Sequence, residues 1–189
     1  MIWQIPENEE KERWLQLKAE LSMKYSGELE LVLPKECDER CFRWFQILEE
    51  EDFRFDLRYS RQEIIERLNN PEVLFFFVVS HEIPEILVLG YRLPDFEPPT
   101  FYLDTIAIRQ RGRGIGDIVL QFVINRARDR TYQAIVLDTE EKDEKGIPLR
   151  HFYEEHGFEA ITRTEQGDLT MRLDLDNSRV IHENSRDHE

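Results

Sequence analysis

Residues Thr105-Ile106-Ala107-Ile108-Arg109-Gln110-Arg111-Gly112-Arg113-Gly114-Ile115-Gly116 join two segments whose apolar residues follow different periods. The preceding segment, 101–108, is rich in apolar and β-branched residues and follows a Pro-rich loop, which predicts a strand. After the glycines, apolar residues recur at steps of three and four from Ile115 to Val123, which predicts a helix from Gly116 to about Arg130. Further helices and strands are predicted on both sides of this strand–turn–helix unit.

The glycine-rich turn has the composition of an anion-binding site. Three of the eight glycines lie at residues 112–116, arginines occupy positions 109, 111 and 113, and residues 105–116 contain no acidic side chain. Glycines let backbone N–H groups approach a ligand closely, and a helix N-terminus carries partial positive charge. The sequence therefore predicts a diphosphate cradle. A Walker loop is excluded because Gly-Lys-Ser/Thr is missing, and a Rossmann fingerprint fails because its third glycine would fall at Asp117.

Hydrophobic periodicity and turn residues predict twelve elements along the chain. Their order is helix, strand, two helices, three strands, helix, strand, helix and two strands. Such an order implies an α/β or α+β layer structure with a mixed sheet. The predicted segments are about 7–25, 28–33, 38–48, 60–70, 73–80, 85–92, 101–108, 116–130, 134–138, 148–156, 159–164 and 169–175.

Two motifs in this order resemble a known family. The pattern R-x-x-G-x-G occurs at Arg111-Gly112-Arg113-Gly114-Ile115-Gly116, and Y-x-x-x-G-F occurs within Phe152-Tyr153-Glu154-Glu155-His156-Gly157-Phe158. Together, with a strand between them, they resemble the acetyl-CoA loop and the short helix of the GCN5-related N-acetyltransferases (GNAT). The resemblance covers 73–175 and implies a mixed, mostly antiparallel central sheet flanked by helices, here with an extra N-terminal helix.

The resemblance also implies where acetyl-CoA binds. The family's pyrophosphate contacts fall on the backbone of the cradle, and its contacts to pantetheine and acetyl groups fall on the end of the preceding strand. In the family, that strand and the next separate, and CoA lies in the gap; here these are 101–108 and 134–138. The implied binding residues are Ile106, Ala107, Ile108, Arg111, Gly112, Arg113, Gly114, Ile115 and Gly116.

Amide formation from a thioester requires a group that protonates the thiolate and a means of deprotonating the amine. The resemblance places the general acid on Tyr153. For the base, Asp138 is the first candidate because it ends the apolar strand 134–138. Asp104, within an apolar strand, and Glu140 are alternatives, and so is a water relay without a dedicated base.

The length and net charge of the chain limit its possible domain organisation and binding partners. A chain of 189 residues fits one domain with small appendages, which we place at 1–27 (helical extension), 28–175 (acetyltransferase domain) and 176–189 (polar tail). A net charge of −15 argues against nucleic acid as a partner. The acidic stretches 49–52 and 140–144 mildly favour a cationic acceptor.

The sequence indicates a cytoplasmic protein. Its longest apolar run is 73–79, far shorter than the ~20 residues of a membrane span, and we see no secretory signal. Cys37 and Cys41 exclude a disulfide framework, and without nearby histidines they favour buried thiols over a metal site. We therefore expect no metal and no membrane partner; the oligomeric state is left open between monomer and homodimer.

The expected activity is N-acetylation of a primary amine by direct attack on acetyl-CoA in a ternary complex. The acceptor would be a small cationic amine, a peptide N-terminus or a lysine. Two alternatives remain at the level of sequence. One is a non-catalytic CoA-binding module, because the family's frequent Asn is Gly146 here and the loop before Arg111 is short. The other is a transferase for a larger acyl-CoA.

Overall fold

A computed structural model describes residues 10–52, 58–143, 146–164 and 167–175. The predicted tail 176–189 and the start of the predicted first helix lie outside the described residues. Within the described part of the chain, no helix has the length and apolar character needed to cross a membrane.

The described elements occur in the order predicted from the sequence. Most of their described ends agree with the predicted ones within a few residues. The elements are α1 (Lys11–Ser22), β1 (Leu29–Val32), α2 (Glu39–Asp52), α3 (Arg61–Leu68), β2 (Leu74–Ser80), β3 (Ile83–Arg92), β4 (Thr100–Ile108), α4 (Ile115–Asp129), β5 (Ala134–Glu140), α5 (Leu149–Glu155), β6 (Glu159–Arg163) and β7 (Asp168–Asp174).

The seven strands form one sheet in the order β1-β2-β3-β4-β5-β7-β6. Every neighbouring pair is antiparallel except β4 and β5, which run parallel. The predicted mixed, mostly antiparallel sheet flanked by helices is therefore confirmed, and so is the additional N-terminal helix.

Helices cover both faces of the sheet and bury two apolar clusters. One face packs against α1 and α4, and the other against α2 and α3. Continuous burial of β2 explains its uninterrupted apolar sequence, since a strand covered on both faces needs no polar side. Cys37 and Cys41 lie buried in the second cluster as free thiols, and burial raises the pKa of both.

Local signals explain where the second and third helices begin. The Asp38 carboxylate accepts the Cys41 N–H at 2.7 Å, and Ser60 and Glu63 form a reciprocal capping box. Within α3, Ile64 is fully buried, whereas its neighbour Ile65 is 36% exposed.

Helix α1 runs alongside α4 in the opposite direction. Near the start of α1, Arg13 forms an ion pair with Asp129, and Arg130 contacts Glu10 at 2.7 Å. At the other end, the Arg113 guanidinium donates to the backbone oxygen of Lys24 at 3.1 Å. The last turn of α1 is thereby held beside the loop that begins α4.

Candidate active site

The parallel strands β4 and β5 are paired along only part of their length. Pairing joins Thr100–Tyr102 to Ala134–Val136, although β4 continues to Ile108 and β5 to Glu140. Beyond Tyr102 and Val136 the two strands separate at the centre of the sheet. The family resemblance implied an opening at this place, between 101–108 and 134–138.

An additional residue interrupts the pairing of β4 with β3 on the other side. Thr105 is opposite Leu89 and Leu103 is opposite Gly90, so Asp104 has no partner in the register. A bulge of this kind changes which face successive side chains occupy. Leu103 contributes to the core beneath α4, whereas Ala107 contributes to the core beneath α2 and α3.

The predicted cradle connects the end of β4 to α4. Gly112 and Gly114 have φ values of 79° and 71°, the left-handed region that glycine adopts without steric cost. Gly114 is the N-cap of α4 and therefore provides no side chain to bond the first helical N–H groups. The geometry leaves a turn of accessible backbone at a positive helix end, which fits a diphosphate.

The third glycine has a different role, because it allows α5 to approach the cradle. A Cβ on Gly116 would lie 3.2 Å from the Phe152 ring and 3.8 Å from Ile108. Glycine at this position thus brings together the end of β4, the start of α4 and the helix that carries Tyr153.

The arginines of the cradle are not simply solvated cations. Arg111 forms an ion pair with Asp143, whose side chain is 6% exposed, and Arg109 lies 3.9 Å from the Glu85 carboxylate. The local excess of positive charge expected from residues 105–116 is therefore partly compensated in three dimensions. Sequence reasoning missed Asp143 and Glu85 because they are 32 and 24 positions away from their partners.

Tyr153 lies half-buried on α5, beside the cradle. Its ring packs edge-on against Phe152 and Phe158, with centroid distances of 5.2 and 5.6 Å. Burial raises the pKa of Tyr153 to about 12, while the charge of the Arg111 guanidinium opposes the rise. The phenol is thus protonated at neutral pH, as a proton donor must be.

Asp138 lies on β5 just beyond the point at which β5 separates from β4. Its side chain is exposed and accepts two hydrogen bonds, from the Tyr102 hydroxyl at 2.7 Å and from the Thr170 hydroxyl at 2.7 Å. Burial and the bond to Asp138 raise the pKa of Tyr102, so the tyrosine stays neutral and the carboxylate keeps its bond. Glu140 ends the same strand two residues later.

Asp104, the residue at the bulge, is almost completely buried, with 3% of its side chain exposed. The Tyr59 hydroxyl donates to its Oδ1 at 2.6 Å, and Arg67 Nε donates to its Oδ2 at 2.8 Å. Burial raises the pKa of Asp104, and these two donors oppose the rise. The Arg67 guanidinium also stacks over the Tyr59 ring at 4.0 Å.

Asp104 and Asp138 form one polar surface together with three tyrosines, which are Tyr59, Tyr91 and Tyr102. Their charges act on one another and on Tyr91, whose pKa burial raises, and the rings of Tyr91 and Tyr102 are 5.5 Å apart. Both aspartates were predicted from the sequence as candidate bases, whereas the four residues around them were not: Tyr59, Arg67, Tyr91 and Tyr102. The one sequence feature that could have pointed to any of these four residues is the position of Tyr59, directly before the helix-capping residue Ser60.

Residues 39–158, well over half of the chain, match the sequence model of the Acetyltransferase (GNAT) family. The protein belongs to this family. The resemblance inferred from the two motifs is thereby confirmed, and the membership supports acyltransferase activity. No curated protein sequence matches the chain.

Solved GNAT structures share the fold at low sequence identity. The ribosomal-protein-S18-alanine N-acetyltransferase from Escherichia coli is 16% identical with a TM-score of 0.58, covering 78% of this chain and 94% of that chain. Arabidopsis thaliana Naa50, in complex with the bisubstrate analogue CoA-Ac-MVNAL, is 18% identical with a TM-score of 0.57, covering 78% and 99%. The PaiA N-acetyltransferase from Thermoplasma acidophilum, in complex with coenzyme A, is 13% identical with a TM-score of 0.56, covering 78% and 99%.

Proposed function

We propose that this GNAT protein is an N-acetyltransferase that moves the acetyl group of acetyl-CoA to a primary amine in a ternary complex. The observation that carries the proposal is the conjunction of the diphosphate-suited cradle with the gap between β4 and β5 and with Tyr153 beside it. The GNAT structures solved with coenzyme A or a CoA-containing analogue support the choice of donor. The acetyltransferase unit would span 28–175, with 1–27 as an extension and 176–189 as a tail.

The cradle and the end of β4 would hold the donor. Backbone N–H groups at Arg111–Gly116 face the diphosphate, and the separated part of β4, Ile106–Ile108, offers backbone groups to the pantetheine and acetyl carbonyl. A backbone N–H directed at the carbonyl oxygen would stabilise the negative charge that develops there during attack.

Bond changes in the reaction require one proton donor and one proton acceptor. The amine nitrogen attacks the thioester carbonyl, a C–N bond forms, the C–S bond breaks and the thiolate leaves. Tyr153 gives its phenolic proton to that sulfur. A thiolate whose conjugate thiol has an ordinary pKa of ~8.5 is a weaker base than the phenolate that remains, so the phenolate then takes up a proton from solvent and Tyr153 is restored as the neutral phenol.

Asp138 is our candidate for the base that accepts the proton of the amine. It is exposed in the separated part of the sheet, and the Tyr102 and Thr170 hydroxyls fix its orientation without neutralising its charge. Asp104 is less suited, because Arg67 binds it directly and the carboxylate is buried. We assign Asp104 to holding Tyr59 and Arg67 in place.

The acceptor would approach the polar surface formed by Tyr59, Tyr91, Tyr102, Asp104 and Asp138. The carboxylates of Asp104 and Asp138 outnumber the one arginine bound there, Arg67, so the net charge of this surface is negative. The faces of aromatic rings also attract cations. A small cationic amine, a peptide N-terminus or a lysine side chain fits these properties.

The experiment measures release of free thiol from acetyl-CoA with a panel of amines, comparing the wild type with Tyr153→Phe. We expect kcat of the variant to fall about 10²-fold with KM for acetyl-CoA nearly unchanged, since a general acid acts in the transition state. Tyr132→Phe is the matched control, because the Tyr132 hydroxyl bonds Glu72 away from the cradle; it should keep full activity.

Other outcomes of the same assay would contradict the proposal. CoA binding without thiol release from any amine would indicate a non-catalytic module. Faster turnover with longer acyl-CoA donors than with acetyl-CoA would indicate another acyltransferase. Full activity of Tyr153→Phe at every pH would remove Tyr153 from the role of acid.

A further inference from the structure

The end of helix α1 lies against the cradle. The Arg113 guanidinium donates to the Lys24 backbone oxygen at 3.1 Å, and a Cβ built on Gly114 would lie 3.9 Å from Lys24 Nζ. The ammonium group of Lys24 therefore lies near the N-cap of α4, and the Asp117 carboxylate lies near the same position, with its Oδ2 3.5 Å from that Cβ. Residues 10–25 precede the segment that matches the family, 39–158, so this contact is a feature of the chain rather than of the family match.

Burial of the next residue fixes the position of Lys24. Tyr25 is 7% exposed and packs in the core beneath α1 and α4, while Lys24 itself is exposed to solvent. The Tyr25 hydroxyl is buried without a hydrogen-bond partner among the described residues, and the charges of Glu85 and Arg113 both act on it. The hydroxyl thus lies beside the cradle, and the backbone that carries Lys24 is anchored there.

Among the cations around the cradle, Lys24 is the one best placed to meet a ligand. Arg111 is bound to Asp143, Arg109 lies near Glu85, and Arg113 is engaged with the backbone of Lys24. No ion pair joins Lys24 to a carboxylate within residues 10–52, 58–143, 146–164 and 167–175. A lysine is a compact point charge that binds phosphate without a fixed approach direction.

We propose that Lys24 of the N-terminal extension binds the diphosphate of CoA and so makes α1 part of the donor site. The inference rests on the proposed function, because it assumes that CoA occupies the cradle. It assigns the extension a binding role in addition to packing on α4. We expect Lys24 to contact the diphosphate rather than the 3′-phosphate of CoA. Lys24 lies beside Gly114, and Gly114 belongs to the cradle loop that would bind the diphosphate.

Calorimetric titration of the full chain with CoA and with 3′-dephospho-CoA tests the proposal. We expect Lys24→Ala to raise the Kd of both ligands about three- to tenfold, and Lys24→Glu to raise it further, because an ammonium–phosphate contact is lost or reversed. Lys24→Arg should restore the affinity to within about twofold of the wild type. Lys18→Ala, the same change six residues earlier on α1, is the matched control and should leave both Kd values unchanged.

The outcomes separate this inference from the proposed function. A wild type that binds neither ligand would overturn the proposed function and this inference together. Normal CoA binding by the wild type and equally by Lys24→Ala would overturn the inference alone. Weakening limited to CoA, with 3′-dephospho-CoA unaffected, would assign Lys24 to the 3′-phosphate and overturn the assignment to the diphosphate. The unfolding midpoint of each variant verifies that the exposed substitution leaves the fold intact.

Discussion

Asp104 and Asp138 differ in environment although both lie on the polar surface of the sheet. Asp138 is exposed and bonded by two hydroxyl groups, whereas Asp104 is buried and bonded by Arg67 and Tyr59. An exposed carboxylate can exchange protons with a substrate, and a buried one paired with arginine mainly stabilises the structure. We therefore expect substitutions at the two positions to have opposite consequences.

Asp138→Asn should lower kcat about 10²-fold and leave the free energy of unfolding nearly unchanged, because the amide keeps an acceptor but cannot take the amine proton. Asp104→Asn, the comparison variant, should lower the free energy of unfolding by about 1–3 kcal/mol, because it leaves the partly buried Arg67 without its charge partner. Initial rates and urea unfolding measure both quantities. A stable, inactive Asp104→Asn beside a fully active Asp138→Asn would identify Asp104 as the base.

Glu49 is a buried acid on α2, with 2% of its surface exposed. Burial raises its pKa from 4.5 to about 7, although the Tyr59 N–H donated to its Oε1 at 3.0 Å opposes the rise. Because the folded protein then binds this proton more tightly than the unfolded chain, the contribution to stability is complete below pH 4.5 and is lost as the pH rises through about 7.

Glu49→Gln should therefore stabilise the protein at pH 8 and not at pH 4.5. The amide keeps an oxygen for the Tyr59 N–H and removes the buried charge, which raises the free energy of unfolding at pH 8 by on the order of 2 kcal/mol. Chemical denaturation at the two pH values measures the difference. Glu50→Gln, the exposed neighbour, is the control and should change neither value. A Gln variant less stable than the wild type at pH 8 would show that the charged form is favoured in the fold.

At the scale of elements, β4 depends on a glycine in the adjacent strand. A Cβ on Gly90 would lie 2.6 Å from the Phe101 ring and 2.7 Å from the Tyr102 backbone oxygen, at the point where the register shifts around Asp104. Glycine inside a strand commonly marks such a close approach. Gly90 thus allows the bulge that directs Asp104 towards Tyr59 and Arg67.

Gly90→Ala should lower the free energy of unfolding by about 1–3 kcal/mol, because the backbone oxygen cannot move aside as a flexible side chain would. Gly167→Ala is a useful comparison, since the added Cβ would meet no atom within 4 Å. Its loss of unfolding free energy would come only from the backbone strain of an alanine at a φ of 98°. Urea unfolding of both variants measures the costs. If Gly90→Ala costs less than Gly167→Ala, the close packing at the bulge is not the reason for the glycine.

Local sequence signals were sufficient for the order of the elements but not for the site's long-range contacts. Hydrophobic periodicity, helix-capping residues and glycines that end helices predicted all twelve elements, because each of these signals acts within a few residues. The ion pair of Arg111 with Asp143 and the bonds of Asp104 to Tyr59 and Arg67 join residues 32 to 45 positions apart. No local pattern specifies such contacts, and the bulge at Asp104 also depends on pairing with another strand.

At the scale of the whole molecule, the sheet consists of two antiparallel halves joined by one short parallel pair. Strands β1–β4 form one half and β5, β7 and β6 the other, so the opening between β4 and β5 lies at the centre. The cradle follows the separated part of β4, and Asp138 lies on the separated part of β5. Tyr153 lies on α5, the helix that packs against Gly116 of the cradle through Phe152. The sequence predicted a mixed sheet from the residues, whereas its family architecture followed from the resemblance, because strand order depends on distant pairing.

The strand–turn–helix unit from Ile106 to Gly116 is the segment that we propose holds CoA. Titration of the ¹⁵N-labelled protein with CoA, followed by ¹H–¹⁵N correlation spectra, tests this proposal residue by residue. We expect the largest shifts at the amides of Gly112, Gly114, Ile115 and Gly116, with further shifts at Ile106–Ile108. Unchanged resonances at these amides under saturating CoA, or the largest shifts on β1, β6 or α3 instead, would contradict it.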